Sequence, residues 1–174
     1  MKNLFILVIL FLSLNTIAQT PSLLVEAESI DNPGGWVVDQ QFIPSMGSPY
    51  LLAHGMGEPV ENAVTTVEFP ESGRYWFWVR TKDWVPDRPE TPGTFKIIFD
   101  GEEYPETFGV NEGWQWVRSG RIKVENSKQL KIELKDETGF EGRCDAIYFS
   151  KDKNDFPPVE LEEMTAWRKE KLGI

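Results

Sequence analysis

Between residues 22 and 150 the chain consists of short runs of alternating apolar and polar residues, separated by glycine, proline, asparagine or aspartate. The alternation is clearest over residues 130–135, where three aliphatic side chains alternate with three charged ones. Because successive side chains of a strand point to opposite faces of the sheet, this pattern predicts strands with one buried and one hydrated face. Many short strands of this kind are typical of an antiparallel β-sandwich. The predicted strands are 23–28, 36–40, 50–53, 63–69, 74–82, 94–99, 104–108, 115–124, 129–135 and 144–150.

The pattern changes at both ends of this region. Residues 1–18 combine Lys2, an apolar run over 4–12 and small residues before Gln19, which predicts a cleaved secretory signal peptide. We therefore divide the chain into this signal peptide, a β-sandwich over 19–150, and a linker with a C-terminal helix over 151–174. Acidic residues begin the helical segment and basic residues end it, followed by Gly173. A helix this short needs tertiary packing, so we expect it to cover the sandwich or contact a following domain.

Composition restricts the kinds of molecule that the chain can be expected to bind. The net charge of −10 at pH 7 argues against nucleic acid and anionic membranes, which both require basic patches. Cys144 is the only cysteine, so it forms no disulfide within the chain, and we expect it to be a buried small hydrophobe. The core must therefore come largely from seven Trp, eleven Phe and four Tyr. These features predict a secreted, soluble monomer.

Three segments resemble carbohydrate-binding modules of families 6 and 35. They are Val25-Glu26-Ala27-Glu28, the stretch VEFPESGRY followed by VR over residues 67–80, and CDAIYF over residues 144–149. The resemblance implies an all-β, galactose-binding-like jelly-roll β-sandwich, here extended by one C-terminal helix. It also implies a non-catalytic module whose partner is an extracellular glycan.

Residues 31–42, 46–55 and 138–145 further resemble the N-terminal β-sandwich of secreted bacterial proteins related to FAD-dependent oxidoreductases. In those proteins a short helix leads into a dinucleotide-binding domain. This chain contains no G-x-G-x-x-G motif after a strand, so we expect no FAD site in it. The resemblance implies an alternative function, a structural domain that docks on an oxidoreductase or another glycan-active catalytic domain without binding sugar itself.

Three acidic residues form the predicted metal site. Glu26 and Glu28 are two positions apart in a predicted strand and so share one face, where like charges require a cation or hydrogen-bond donors between them. In the resembling modules such a pair holds a structural calcium with an Asp of the last strand, and Asp145 matches that Asp. Calcium prefers six to eight oxygen ligands, so main-chain carbonyls and water would complete the shell. The alternatives are solvated carboxylates or a pair bonded to Arg143; a hydrolase pair is disfavoured because no substrate pocket is evident.

Aromatic residues in loops form the predicted ligand site. Trp84 lies in a long loop over 83–93, while Trp114 and Trp116 stand at the start of the strand 115–124. In the resembling modules a Trp shortly before this strand stacks on a sugar. The alternative is that these tryptophans pack in the core or at its rim. The polar residues expected to meet sugar hydroxyls are Asp83, Arg88 and Asn111.

Two further features need an explanation. Trp76 and Trp78 lie on the face of their strand that should be hydrated, so they require a cover or a partner. The cover could be a ligand, a docked domain or the C-terminal helix, with Trp167 against Trp78. His54 is the only histidine and no serine stands in a nucleophile elbow, so we expect no catalytic residues and a packed or hydrogen-bonded His54.

Overall fold

A computed structural model describes residues 19–83, 85, 87 and 92–174. The predicted signal peptide, Trp84 and Arg88 lie outside the described residues. The helices of the described chain are α1 (Ile43–Met46) and α2 (Leu161–Leu172). Its strands are β1 (Ser22–Glu26), β2 (Trp36–Asp39), β3 (Tyr50–His54), β4 (Ala63–Glu68), β5 (Gly73–Thr81), β6 (Phe95–Phe99), β7 (Glu102–Glu103), β8 (Gln115–Val124), β9 (Gln129–Asp136) and β10 (Phe140–Ser150).

The larger sheet has six strands and is antiparallel throughout. Its order is β2-β3-β10-β5-β8, and β1 also pairs with β10. Two strands pair with the same edge of the long strand β10. β3 pairs with residues 140–144 and β1 pairs with residues 146–150. The first and last strands of the sandwich are therefore adjacent, as the predicted proximity of Glu26 and Asp145 required.

The smaller sheet faces the larger one and has the order β4-β9-β6-β7, again antiparallel. The core between the sheets is rich in aromatic rings that meet edge to face, as Phe77 and Phe99 do at 5.2 Å between centroids. Cys144 is fully buried in this core, which confirms its predicted role as a small hydrophobe. Two antiparallel sheets followed by a C-terminal helix confirm the predicted fold class.

Two predicted strands differ from those in the structure. The first strand stops at Glu26, and residues Ala27–Ser29 form a 3-10 turn. The predicted strand 104–108 is replaced by the short β7, which pairs with β6 through a two-residue hairpin at Asp100 and Gly101, with φ values of 50° and 87°. Positive φ at both turn residues suits such a hairpin. Pro105 lacks an amide hydrogen, and beyond it only Phe108 makes an isolated bridge, with Phe95.

The C-terminal segment covers the outer face of the larger sheet. Trp78 is only 1% exposed and packs against Tyr148 at 5.7 Å and Phe156 at 5.9 Å. Trp167 of α2 packs edge-on against Tyr148 at 4.9 Å and Trp116 at 5.9 Å. The Trp78 face is thus covered by this chain's own C-terminal segment, one of the three predicted covers, although the ring contacts of Trp167 are with Tyr148 and Trp116. No helix of the described residues has the length and apolar character needed to cross a membrane.

Candidate functional site

An aromatic cluster of Phe42, Tyr50 and Trp114 lies on the outer face of the larger sheet, beside the first residue of β3 and just before β8 begins. Trp114 meets Tyr50 at 4.9 Å and Phe42 at 5.9 Å, both nearly edge to face, and Phe42 meets Tyr50 at 5.8 Å. Tyr50 is fully buried, whereas Phe42 and Trp114 are only partly buried. Packing on Tyr50 therefore holds the Trp114 ring in a defined position near the surface.

The loops after β5 and before β8 meet near this aromatic cluster. The backbone N–H of Asp83 donates to the carbonyl of Asn111 at 2.8 Å, which joins the loop after β5 to the loop before β8. The ammonium of Lys82 lies 4.6 Å from the centre of the Phe42 ring. The Asp83 carboxylate is buried and accepts a hydrogen bond from the N–H of Val85 at 3.1 Å, so it shapes its own loop.

The predicted ligand residues thus occupy different environments. Asp83 and Asn111 are joined by a backbone hydrogen bond just beyond β5, and Trp114 follows Asn111 in the same loop and packs on Tyr50. Trp116 lies under the C-terminal segment, where its indole Nε1 donates to the carbonyl of Pro158 at 3.2 Å and its ring meets Trp167. Trp116 therefore packs against the C-terminal segment, and its predicted contact with a ligand stays a prediction.

A second group of polar residues is buried between the larger sheet and α2. We name Glu26, Ser48, Arg80, Asp145 and Arg168 the arginine–carboxylate cluster. Arg80 Nη1 lies 2.8 Å from Asp145 Oδ2, and Arg168 Nη1 lies 2.9 Å from Glu26 Oε2. Arg168 also donates through Nη2 to Asp145 and through Nη1 to the Ser48 hydroxyl, which itself donates to Asp145 Oδ1 at 2.8 Å. Every member of this cluster is less than 9% exposed.

Burial governs the electrostatics of the two glutamates. Burial raises the pKa of Glu26 to about 8 against the opposing effect of Arg168, and it raises the pKa of Glu28 to about 7. Glu28 lies in the 3-10 turn after β1, so the strand geometry that placed both glutamates on one face ends before it. Among the described residues, Glu28 Oε2 is buried without a hydrogen-bond partner.

The arrangement of these acids does not fit a calcium ion. Glu26 and Asp145 do converge, but the guanidinium of Arg168 lies between them and uses the oxygens that a metal would need. Calcium binding requires several oxygens directed at one point, free of positively charged donors. In the part of the chain that the structure describes, no three acidic, histidine or cysteine side chains are grouped to hold a metal.

The remaining polar residues have structural partners. Arg143 pairs with Glu141 at 2.6 Å, so the arginines that bind Asp145 are Arg80 and Arg168. His54 is 55% exposed, with Nδ1 3.5 Å from Glu141 Oε1.

A cleft of about 530 Å³ opens at the far end of β8 from Trp114, between β8 and the β6–β7 hairpin. Tyr104 contributes an aromatic wall, but its ring also packs against Phe77 at 4.9 Å. The charged residues of the cleft include partners in exposed ion pairs, among them Glu103 with Lys135 at 2.7 Å. This cleft is a second candidate for the ligand site, besides the aromatic cluster.

No protein-family model and no curated protein sequence matches the chain. Its fold matches solved structures of carbohydrate-binding modules. A family 35 module from Clostridium thermocellum has a TM-score of 0.55 and 14% identity, covering 74% of this chain and 96% of that one. A CBM36-1 domain of a multidomain xylanase from the hindgut metagenome of Trinervitermes trinervoides has a TM-score of 0.54 and 16% identity, covering 75% and 98%.

A β-(1,4)-mannanase from Podospora anserina that includes a family 35 module has a TM-score of 0.60 and 16% identity. The match covers 80% of this chain but only 29% of the mannanase chain. At these identities the comparisons establish the fold. The chain therefore has the β-sandwich fold seen in carbohydrate-binding modules of families 35 and 36.

Proposed function

We propose that this chain is a secreted, non-catalytic module that binds a polysaccharide at the loop end of its sandwich, around Trp114. The observation that carries the proposal is the position of Trp114, held by edge-on packing against Tyr50 at 4.9 Å where two loops meet. Loops at one end of a rigid sandwich are common positions for binding residues.

The chemistry of the aromatic cluster suits a sugar. The apolar face of a pyranose ring stacks on an indole, while its hydroxyls need polar partners, and the ammonium of Lys82 lies 4.6 Å from the centre of the Phe42 ring. Asn111, in the loop that leads to Trp114, is the second polar residue that we propose for this role. A ring already held in place loses little conformational freedom on binding. One stacking contact contributes about 1–2 kcal/mol by analogy with other contacts to aromatic faces, so we expect weak binding to a single sugar unit and tighter binding to a polymer.

Affinity gel electrophoresis tests this proposal. The structural neighbours include a β-(1,4)-mannanase and a xylanase, so β-mannan and xylan are the first polysaccharides to include in the gel. Retarded migration in one of them, with serum albumin unretarded, supports the proposal. Calorimetry with oligosaccharides of that polymer then measures the affinity. Unretarded migration across a broad set of neutral and acidic polysaccharides would contradict it.

A structural docking domain for an oxidoreductase or another catalytic partner is the second candidate. It is favoured by exposed apolar side chains on the C-terminal segment, where Phe156 is 58%, Val159 70% and Ile174 83% exposed. This candidate predicts no retardation by any polysaccharide. It also predicts that Val159→Asp weakens co-purification with a catalytic domain encoded beside the gene, whereas Glu162→Gln on the same segment does not.

A further inference from the structure

The arginine–carboxylate cluster is closed by a residue from outside the sandwich. Glu26 ends β1 and Asp145 lies within β10, so both carboxylates belong to adjacent strands. Arg168 comes from α2 and reaches both of them, and it is only 6% exposed. A helix that follows the last strand thus supplies a positive charge to the acidic site of the sandwich.

In this buried site the guanidiniums equal in number the carboxylates that they contact. Two carboxylates, Glu26 and Asp145, face two guanidiniums, Arg80 and Arg168. Arginine remains charged at all physiological pH values and offers several donors in a planar fork, which suits two carboxylates held side by side. A divalent cation would bring the same charge as the two arginines together, and it would have to displace Arg168.

We infer that the guanidinium of Arg168 takes the place of a bound metal ion in this domain, so that α2 replaces calcium as the element that holds β1 and β10 together. The domain is then folded and stable without calcium. Removal of Arg168 leaves Glu26, Asp145 and the Ser48 hydroxyl around the vacated space, with Arg80 as the remaining cation. Oxygen ligands of this kind favour a hard cation, so the altered site should gain an affinity for calcium.

Thermal unfolding of the full chain tests the inference. We expect the Tm of the wild type to be equal in excess chelator and in millimolar calcium. Arg168→Ala should lower the Tm by on the order of 10 °C in chelator, because buried carboxylates lose their partner. Calcium should then raise the Tm of Arg168→Ala. Lys169→Ala is the matched control, since it removes one exposed positive charge from the same turn of α2 and should change little.

Three results would each overturn the inference: a wild-type Tm that falls in chelator, an Arg168→Ala variant no less stable than Lys169→Ala, or a destabilised Arg168→Ala that calcium does not restore. Arg168→Gln covers the case in which Arg168→Ala does not fold, because glutamine retains side-chain volume and an amide donor while it removes the charge. Calorimetric titration of calcium into the wild type is an independent measurement, and micromolar binding there would also contradict the inference.

Discussion

The guanidinium of Arg168 lies 2.9 Å from the carboxylate of Glu26, although the two residues are 142 positions apart in the chain. Arg80 binds Asp145, which Arg168 also contacts, at 2.8 Å. The guanidinium of Arg80 lies 5.9 Å from the centre of the Trp114 ring. The C-terminal helix is thus connected through buried charges to the aromatic cluster that we propose as the ligand site.

The first prediction concerns the pair Glu26 and Arg168. In a double-mutant cycle with Glu26→Ala and Arg168→Ala, we expect a coupling free energy of about 2 kcal/mol, because Arg168→Ala leaves Glu26 buried without its ion-pair partner, whereas Glu26→Ala leaves Arg168 paired with Asp145 alone. Urea unfolding of the four proteins measures it. The exposed pair Lys151 and Glu71 is the control and should show a far smaller coupling. Equal coupling in the two pairs would contradict the prediction.

The second prediction concerns Trp114. Trp114→Ala should weaken polysaccharide binding by about tenfold, which corresponds to the loss of one stacked ring. Trp114→Phe should lose less, because it keeps an aromatic face. Trp76→Ala is the matched control, since Trp76 packs under Arg118 and Arg121 near the opposite end of β5. Calorimetry, with circular dichroism as the check on folding, distinguishes a binding role from a folding role. Normal affinity in Trp114→Ala, together with loss in a variant of the Tyr104 cleft, would move the site to that cleft.

The third prediction concerns Trp167. Its ring packs against Tyr148 and Trp116, so Trp167→Ala should lower the free energy of unfolding by about 2–3 kcal/mol through loss of buried apolar surface. Leu172→Ala in the same helix should cost much less, because Leu172 is 42% exposed. Urea unfolding measures both changes. A similar loss in the two variants would mean that α2 contributes through helicity and not through this contact.

The fourth prediction is a pH dependence of stability. Burial raises the pKa of Glu28 to about 7, above its ordinary value of 4.5, so the folded chain binds more protons than the unfolded chain between these values. The free energy of unfolding should therefore fall as the pH rises from about 5 to about 7. Glu28→Gln should reduce this slope, whereas Glu71→Gln should not, because the pKa of Glu71 is lowered and its effect falls at more acidic pH. Urea unfolding at a series of pH values is the measurement. An unchanged slope in Glu28→Gln would contradict the assignment.

The fifth prediction concerns Cys144. Its thiol is fully buried and burial raises its pKa, so it should react with a thiol reagent far more slowly in the native protein than in denaturant. The rate of the colour change with an aromatic disulfide reagent measures this. Rapid reaction under native conditions would show that β10 opens readily.

The local sequence predicts most of the fold, because strand formation depends on patterns only a few residues long. Alternation over residues 130–135 predicts β9, and the Asp100-Gly101 pair predicts the hairpin after β6. The prediction from local sequence is wrong at residues 104–108, where aromatic residues suggest a strand but Pro105 interrupts the hydrogen bonding between strands. It also fails at Glu28, since spacing in sequence does not show that the strand ends at Glu26.

The functional residues depend far more on tertiary structure. Trp114 and Trp116 stand two positions apart, yet one lies beside Tyr50 at the loop end and the other lies under Trp167. The sequence by itself determined a β-sandwich with a buried cysteine and a short helix after it, because these follow from local periodicity and composition. It could not determine that Arg168, which looks like a basic residue at a helix end, is the partner of Glu26 and Asp145. That pairing depends on where α2 packs, which only the tertiary structure decides. The two buried carboxylates lie on adjacent strands, and their ion-pair partner is a cation that lies near them in space but far away in the sequence.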